Sequence, residues 1–137
     1  MTTSTLSLDA WLQRLETAHA LVIELGLERV DAVARAMGLQ FTCPVITVGG
    51  TNGKGSTSQI ITKLLMAHGV KVGTYSSPHL EDVRERIQVD GEIIGQHDFA
   101  DSVAAIANAE GIAAIRPSYF EIMTAAAFRW FSDAAVD

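Results

Sequence analysis

Val45-Ile46-Thr47-Val48-Gly49-Gly50-Thr51-Asn52-Gly53-Lys54-Gly55-Ser56-Thr57 constrains this chain more than any other stretch. A β-branched run enters a turn with glycines at 49, 50, 53 and 55, and one lysine stands inside that turn. Glycine lets the backbone curl tightly and turn successive N–H groups inward, and a helix that starts there adds its positive N-terminal end. Lys54 adds a mobile cation at the same place. This is the chemistry of a polyphosphate cradle, so Gly50, Thr51, Asn52, Gly53, Lys54, Gly55 and Ser56 form a candidate ATP-binding set, with Lys54 as the cation that acts in phosphoryl transfer.

The match to the general pattern G-x-x-x-x-G-K-[ST] is imperfect. Its first glycine falls on Val48 and its hydroxyl on Gly55, and the hydroxyl arrives one residue late, at Ser56. An ordinary strand-to-helix connection is the competing reading. Against it stand the β-branched run before the turn and the helical recurrence of Ile60, Ile61, Leu64 and Leu65 after it, closed by Gly69 as a C-cap.

The 137 residues, 48% apolar and 19% charged, suffice for one sizeable core and predict one compact unit. A net charge of −6 argues against nucleic-acid binding, and Arg84 and Arg86 are offset by Glu81, Asp82 and Glu85. Cys43 is the only cysteine, which excludes an intrachain disulfide, fits a reducing cytoplasm and reads as a small filler. Met1 to Ser7 has no basic segment followed by an apolar core, and no apolar run reaches the roughly 18 residues of a membrane span. The sequence therefore predicts neither secretion nor a membrane partner.

The expected element order is helix, helix, strand, helix, strand, hairpin, helix, helix, an alternation that places the chain in the α/β class. Ser7 caps a first helix carrying Leu8, Trp11, Leu12 and Leu15, and a second runs from Leu27 to Met37 before Gly38. His19 to Gly26 connects them. Lys71 to Tyr75 is read as a strand lying parallel to Val45–Val48 through a right-handed crossover. Asp90-Gly91 between Ile87-Gln88-Val89 and Glu92-Ile93-Ile94 is a two-residue hairpin signal, and a helix over His97–Glu110 follows.

The final helix puts Phe120, Met123, Thr124, Ala127, Phe128 and Phe131 on one stripe, most of it core. Its beginning, Ser118, Phe120 and Glu121 after Pro117, is where a polar group and a ring can face a pocket; Glu121 equally suits a helix N-terminus on charge alone. Ser76 to Arg86 is a polar, proline-containing loop without periodicity, the kind that carries function. Within it Glu81, Asp82 and Arg84 read as a solvated face. The four histidines lack metal-ligand spacing, and His79 reads as exposed or hydrogen-bonded.

Gly-Thr-Asn-Gly-Lys-Gly-Ser, with Leu64-Leu65 and Gly69 beyond it, resembles the nucleotide loop of the dihydrofolate synthase/folylpolyglutamate synthase branch of the Mur-ligase family. The likeness extends over nearly the whole chain: Leu8-Asp9-Ala10-Trp11-Leu12, Leu25 to Val30, Tyr75-Ser76-Ser77-Pro78-His79-Leu80, Glu85-Arg86-Ile87 and Tyr119-Phe120-Glu121 follow in order. Gly55, where Mur peptide ligases carry Thr or Ser, is the choice of the folate branch.

The resemblance implies a P-loop NTPase-like Mur-ligase central domain, with a mostly parallel sheet flanked by helices. It implies ATP and Mg²⁺, and amide-bond formation between L-glutamate and dihydropteroate or a folate through an acyl phosphate. By position, Ser77 offers its hydroxyl to Mg²⁺, while Ile23, Glu24, Leu25, Ser118 and Phe120 surround the pterin and Phe120 supplies the aromatic face. Arg86 in the substrate loop and Glu121 complete the implied substrate set.

Family members continue beyond a segment like Asp133 to Asp137 into a Glu-bearing strand, further metal ligands and a glutamate-binding domain. Residues 1–137 are accordingly expected to be the amino-terminal part of the ATP-binding domain, inactive alone and with an open sheet edge that invites self-association. A non-catalytic nucleotide-binding module and another Mur-type amide ligase are the alternatives. The choice between dihydropteroate and polyglutamylated folate is open at this level.

Overall fold

The computed structural model describes residues 7–18 and 26–137. They form five α-helices, a short 3₁₀ turn and three strands: α1 (Leu8–Ala18), α2 (Glu28–Ala36), α3 (Lys54–Ala67), β1 (Gly73–Tyr75), the 3₁₀ turn (Val83–Arg86), β2 (Ile87–Val89), β3 (Glu92–Ile93), α4 (Gln96–Ala113) and α5 (Tyr119–Ala134). Where length and composition predict one compact unit, the chain divides into two. The first takes residues 1–39 and 96–130, and the second takes 40–95 and 131–137. Length bounds how much core a chain can bury, but not how many times it is interrupted.

The first unit is helical. α4 packs against both α1 and α2. Phe99, Ser102, Val103, Ile106 and Ala109 give it a buried stripe at helical spacing. α1 buries Trp11 and Leu15, one turn apart, and α2 buries Val33. Ser7 caps α1 as its sequence position predicts, its Oγ accepting from the Ala10 N–H at 3.3 Å. Arg14 lies over the Trp11 ring, 5.4 Å from its centroid, and donates to Glu110 Oε2 of α4 at 2.7 Å. Within α5, Ile122, Met123 and Ala125–Ala127 are buried.

The second unit holds the sheet, in the order β1-β2-β3 with both pairs antiparallel. Asp90 and Gly91 both adopt positive φ, 51° and 77°, the conformation a two-residue primed turn needs. Asp90 also grips the strand before it: Val72 N–H donates to its Oδ1 at 2.9 Å, and its own N–H donates to Val72 O at 2.9 Å. One residue earlier, Lys71 N–H donates to Asp137 Oδ2 at 2.8 Å, and Lys71 Nζ donates to Ala134 O. Gly73 must be glycine, since a Cβ there would stand 2.7 Å from the Phe131 ring.

Two local expectations are corrected here. The parallel pairing of Val45–Val48 with the strand over Lys71–Tyr75 is absent: β1 pairs with β2, and 45–48 has no ladder partner among the described residues. Its Val45 and Ile46 are 71% and 61% exposed, so the run has the composition of a central parallel strand without the neighbours that would bury it. In α3, Ile60 and Leu64 are exposed while Thr62 is buried, so the buried face is rotated from the one the apolar spacing predicts. Thr62 Oγ1 and Thr74 Oγ1 of β1 form a buried hydrogen bond of 2.9 Å.

Candidate functional site

α3 opens directly out of the glycine-rich turn. Gly53 precedes it in the left-handed region at φ 76°, which costs a residue with a Cβ free energy and reverses the chain just ahead of Lys54. The first helical bond runs from Thr57 N–H to Gly53 O at 2.9 Å, so the N–H groups of Lys54, Gly55 and Ser56 have no acceptor within the helix, and no side chain caps them. Every residue from Gly49 to Thr57 is exposed. Lys54 Nζ bridges back over the turn to Gly50 O at 2.6 Å. Three backbone donors and an ammonium are thus grouped at a positive helix end, a donor set suited to phosphate oxygens.

The loop after β1 belongs to the same unit. Ser77, exposed, precedes a cis Pro78. The loop's ends are joined where Ser76 N–H donates to Arg86 O at 2.9 Å. Glu85 organises its middle: one carboxylate accepts from the N–H groups of Leu80 at 2.8 Å, Glu81 at 3.0 Å and Asp82 at 2.7 Å. Those backbone bonds hold its carboxyl below the usual carboxylate range. Asp82 accepts from Arg84 N–H at 2.9 Å and from Arg84 Nη2 at 2.6 Å. The Arg84 hydrogen bond lowers the Asp82 carboxyl, and Asp82 raises the Arg84 guanidinium. Arg86 Nε donates to His79 Nδ1 at 2.9 Å.

In the first unit, Ser118, Phe120 and Glu121 start α5. Ser118 N–H donates to Glu121 Oε2 at 2.7 Å, and Glu121 N–H donates to Ser118 Oγ at 3.4 Å, a reciprocal capping box. Glu121 Oε2 also accepts from Arg29 Nε of α2 at 3.0 Å. Burial pushes the Glu121 carboxyl up, but Arg29 and the Ser118 bonds outweigh it and the group sits below its ordinary value. Phe120 is 56% exposed, so its ring is not core.

The predicted residues therefore gather in two groups. Gly50–Ser56, Ser77 and Arg86 belong to the second unit, and Ser118, Phe120 and Glu121 to the first. Ile23, Glu24 and Leu25 lie outside the described residues. Sequence reasoning missed Arg29 as the Glu121 partner and Glu85 as the loop's organiser. A signal existed for each carboxylate: Asp82-x-x-Glu85 and Ser118-x-x-Glu121 both have capping-box spacing. Among the described residues, no three of His, Cys, Asp and Glu are grouped to hold a metal ion.

No protein-family model matches the chain. In sequence it is 44% identical over 131 residues to the dihydrofolate synthase/folylpolyglutamate synthase of Escherichia coli strain K12, covering 95% of this chain and 31% of that protein. It is 38% identical over 135 residues to the protein of the same name from Haemophilus influenzae, covering 98% of this chain and 30% of that protein. In structure it matches E. coli FolC in complex with DHPP and ADP with a TM-score of 0.89 and 41% identity, over 100% of this chain and 33% of that one. The Yersinia pestis bifunctional folylpolyglutamate synthase/dihydrofolate synthase complexed with AMPPNP and Mn ion matches with a TM-score of 0.86 and 40% identity, over 100% of this chain and 33% of that one.

The class these features define is an α/β segment of the Mur-ligase fold, built around a glycine-rich loop that opens a helix at a lysine. Within that class the chain belongs to the dihydrofolate synthase/folylpolyglutamate synthase family, and it spans about a third of the length of the curated relatives it matches.

Proposed function

We propose that this chain is the nucleotide-binding segment of an ATP-dependent ligase that adds L-glutamate to dihydropteroate, to folates, or to both. The observation that carries this reading is the exposed Gly50–Ser56 turn opening α3 at Lys54, in a chain 44% identical over 95% of its length to the E. coli synthase. Among the structural neighbours are complexes with DHPP and ADP and with Mn, AMPPNP and L-glutamate, which supports ATP, a divalent cation and these substrates here.

In the proposed reaction, a carboxylate oxygen of the pteroate or folate attacks the γ-phosphorus of ATP, and the bond to the bridging oxygen breaks with its electrons going to ADP. The amine of glutamate then attacks the acyl carbon and loses a proton as inorganic phosphate departs. Lys54 and the backbone donors of Lys54, Gly55 and Ser56 hold the phosphates and offset the charge moved in the first step. The exposed Ser77 hydroxyl would offer Mg²⁺ one hard oxygen ligand, the donor type that ion prefers. When bound, Mg²⁺ supplies charge neutralisation beside the phosphates.

On the substrate side, the exposed Phe120 ring offers a stacking face for the pterin, and Glu121 fixes the start of α5 that presents Ser118 and Phe120. Ile23, Glu24 and Leu25 complete the proposed pocket. Arg86, in the loop after β1, belongs to the same proposed substrate set. A cytoplasmic setting belongs to the same reading, and no helix among the described residues is long and apolar enough to cross a membrane.

The test places all 137 residues into the E. coli synthase in exchange for the aligned segment. The expected chimera performs ATP-dependent glutamate addition, and Lys54→Ala lowers ATP affinity about tenfold or more with an unchanged melting curve. A folded chimera without ligation, or a folded Lys54→Ala variant with unchanged ATP kinetics, overturns the reading.

A further inference from the structure

α3 is anchored by a polar side chain where a helix ordinarily uses an apolar one. Among the described residues of α3, Thr62 alone is buried, while Ile60 and Leu64 near it are exposed. No fully buried apolar side chain therefore holds this helix in place. The partner of Thr62 is Thr74 of β1, also buried and in the same unit, with the two Oγ1 atoms 2.9 Å apart. The proton between them can be assigned. A threonine hydroxyl has one proton, and Thr62 Oγ1 gives its own to Ser58 O at 2.9 Å, because a carbonyl only accepts. Thr74 is therefore the donor to Thr62. One turn nearer the start of the helix, Ser58 Oγ donates to Lys54 O at 2.9 Å. Residues four apart share a helix face, so these bonds run in one line from Thr74 through Thr62 and Ser58 to the backbone of Lys54, about 12 Å along the axis from Thr62. A hydroxyl bonded to the carbonyl four residues back bends a helix, and two in succession act on the course of the first turns of α3.

We propose that Thr74 is a positioning residue: by donating to Thr62 it fixes the direction in which α3 aims Lys54 and the N–H groups of Lys54, Gly55 and Ser56 at the phosphates of a nucleotide. The assignment rests on the ligase reading, because it needs that helix end to hold ATP. Thr74 touches no phosphate and acts through Thr62 and the helix backbone. Without its proton, Thr62 keeps the bond to Ser58 but loses its tie to β1, and the helix end is held less narrowly in angle. Hydrogen bonds weaken steeply away from their preferred line, so the phosphate donors lose strength together. The loss weakens binding of ATP and leaves the acyl substrate alone.

Thr74→Val tests this cleanly, since it keeps the branched shape of the side chain, removes only the hydroxyl and leaves no buried donor unsatisfied. In the ¹⁵N-labelled 137-residue protein, Thr74→Val is expected to shift the amide resonances of Lys54, Gly55 and Ser56, and Thr74→Ser, which keeps the donor, is expected to return them. In the E. coli chimera, Thr74→Val is expected to raise KM for ATP about fivefold, the loss of one neutral hydrogen bond, with KM for dihydropteroate unchanged and Thr74→Ser restoring most of it. Made in a Thr62→Val background, the same change is expected to add nothing further. Amides at 54–56 indifferent to Thr74→Val overturn the transmission along α3. Shifted amides with an unchanged KM for ATP overturn the positioning role and leave the ligase reading standing. A rise in both KM values with a lowered melting temperature, or one that Thr74→Ser does not restore, makes Thr74 a residue of general stability and also overturns the proposal. If the unsubstituted chimera is folded and inactive, the ligase reading fails and this assignment falls with it.

Discussion

The start of α3 and the start of α5 pose the same physical problem and solve it in opposite ways. Each is a helix N-terminus whose first N–H groups lack acceptors within the helix. At α5 the answer is built in: Glu121 folds back onto the Ser118 N–H, Ser118 Oγ takes the Glu121 N–H, and Arg29 balances the charge. At α3 the N-cap is a glycine with no side chain to offer, and the nearest charge is a cation. A helix end that carries its own carboxylate is closed to anions. One that carries Gly53 and Lys54 is open to them, at the cost of cap energy that sequences normally keep.

The comparison breaks most visibly at Glu121. Glu121→Ala removes a buried carboxylate that serves both cap and ion pair, and is expected to destabilise the protein by about 2–3 kcal/mol in denaturant titration. The same carboxyl sits below its ordinary value when folded. Its contribution is therefore fully present above the unfolded carboxylate range near pH ~4.3 and is lost as pH falls through the folded value. Glu121→Ala should accordingly flatten the acid limb of a stability-against-pH curve. A variant as stable as the parent, with an unchanged acid limb, would show that α5 needs no internal anion.

A smaller effect is expected at the open end. Nothing lies within 4 Å of a Cβ built on Gly53, so Gly53→Ala meets only the backbone cost of φ 76°. That cost is about 1 kcal/mol by thermal melting. A loss several times larger would mean that the turn is packed and not merely curled.

The smallest effect on global stability is expected at Glu85, whose acceptor bonds from Leu80 and Glu81 are exposed and whose bond from Asp82 is only part-buried. Glu85→Ala should leave the melting curve nearly in place and speed hydrogen exchange at the amides of Leu80, Glu81 and Asp82. Unchanged exchange at those three amides would remove Glu85 from the loop's architecture.

Local chemistry was the legible part of this chain. Ser7 as a cap, Asp90-Gly91 as a hairpin turn and Gly53-Lys54 as the mouth of a helix are each decided within a few residues, and each is found where the pattern puts it. Pairings across the chain were not legible. Arg29 and Glu121 meet over a separation of 92 residues, with no periodicity to announce them. Val45–Val48 shows the same limit from the other side: a β-branched run reports that a segment suits the middle of a sheet, but not which strand lies next to it. The capping-box spacings at Asp82 and Ser118 stand in the sequence, but Asp82 there also suits a solvated face and Glu121 suits a helix N-terminus on charge alone, so the spacing does not by itself announce the reciprocal bonds.

The Thr62–Thr74 bond has a mechanical meaning. Two apolar surfaces in contact can slide by a fraction of an ångström at little cost, because dispersion has no preferred direction. A hydrogen bond between two hydroxyls does have one, and this one is buried where water cannot substitute for either partner. It acts as a dowel between the helix that begins at Lys54 and the strand that runs into Ser76 and Ser77. With that pin in place, α3 can neither roll about its axis nor creep along β1 without breaking it, so the spacing between lysine and serine is set by a joint that touches neither of them.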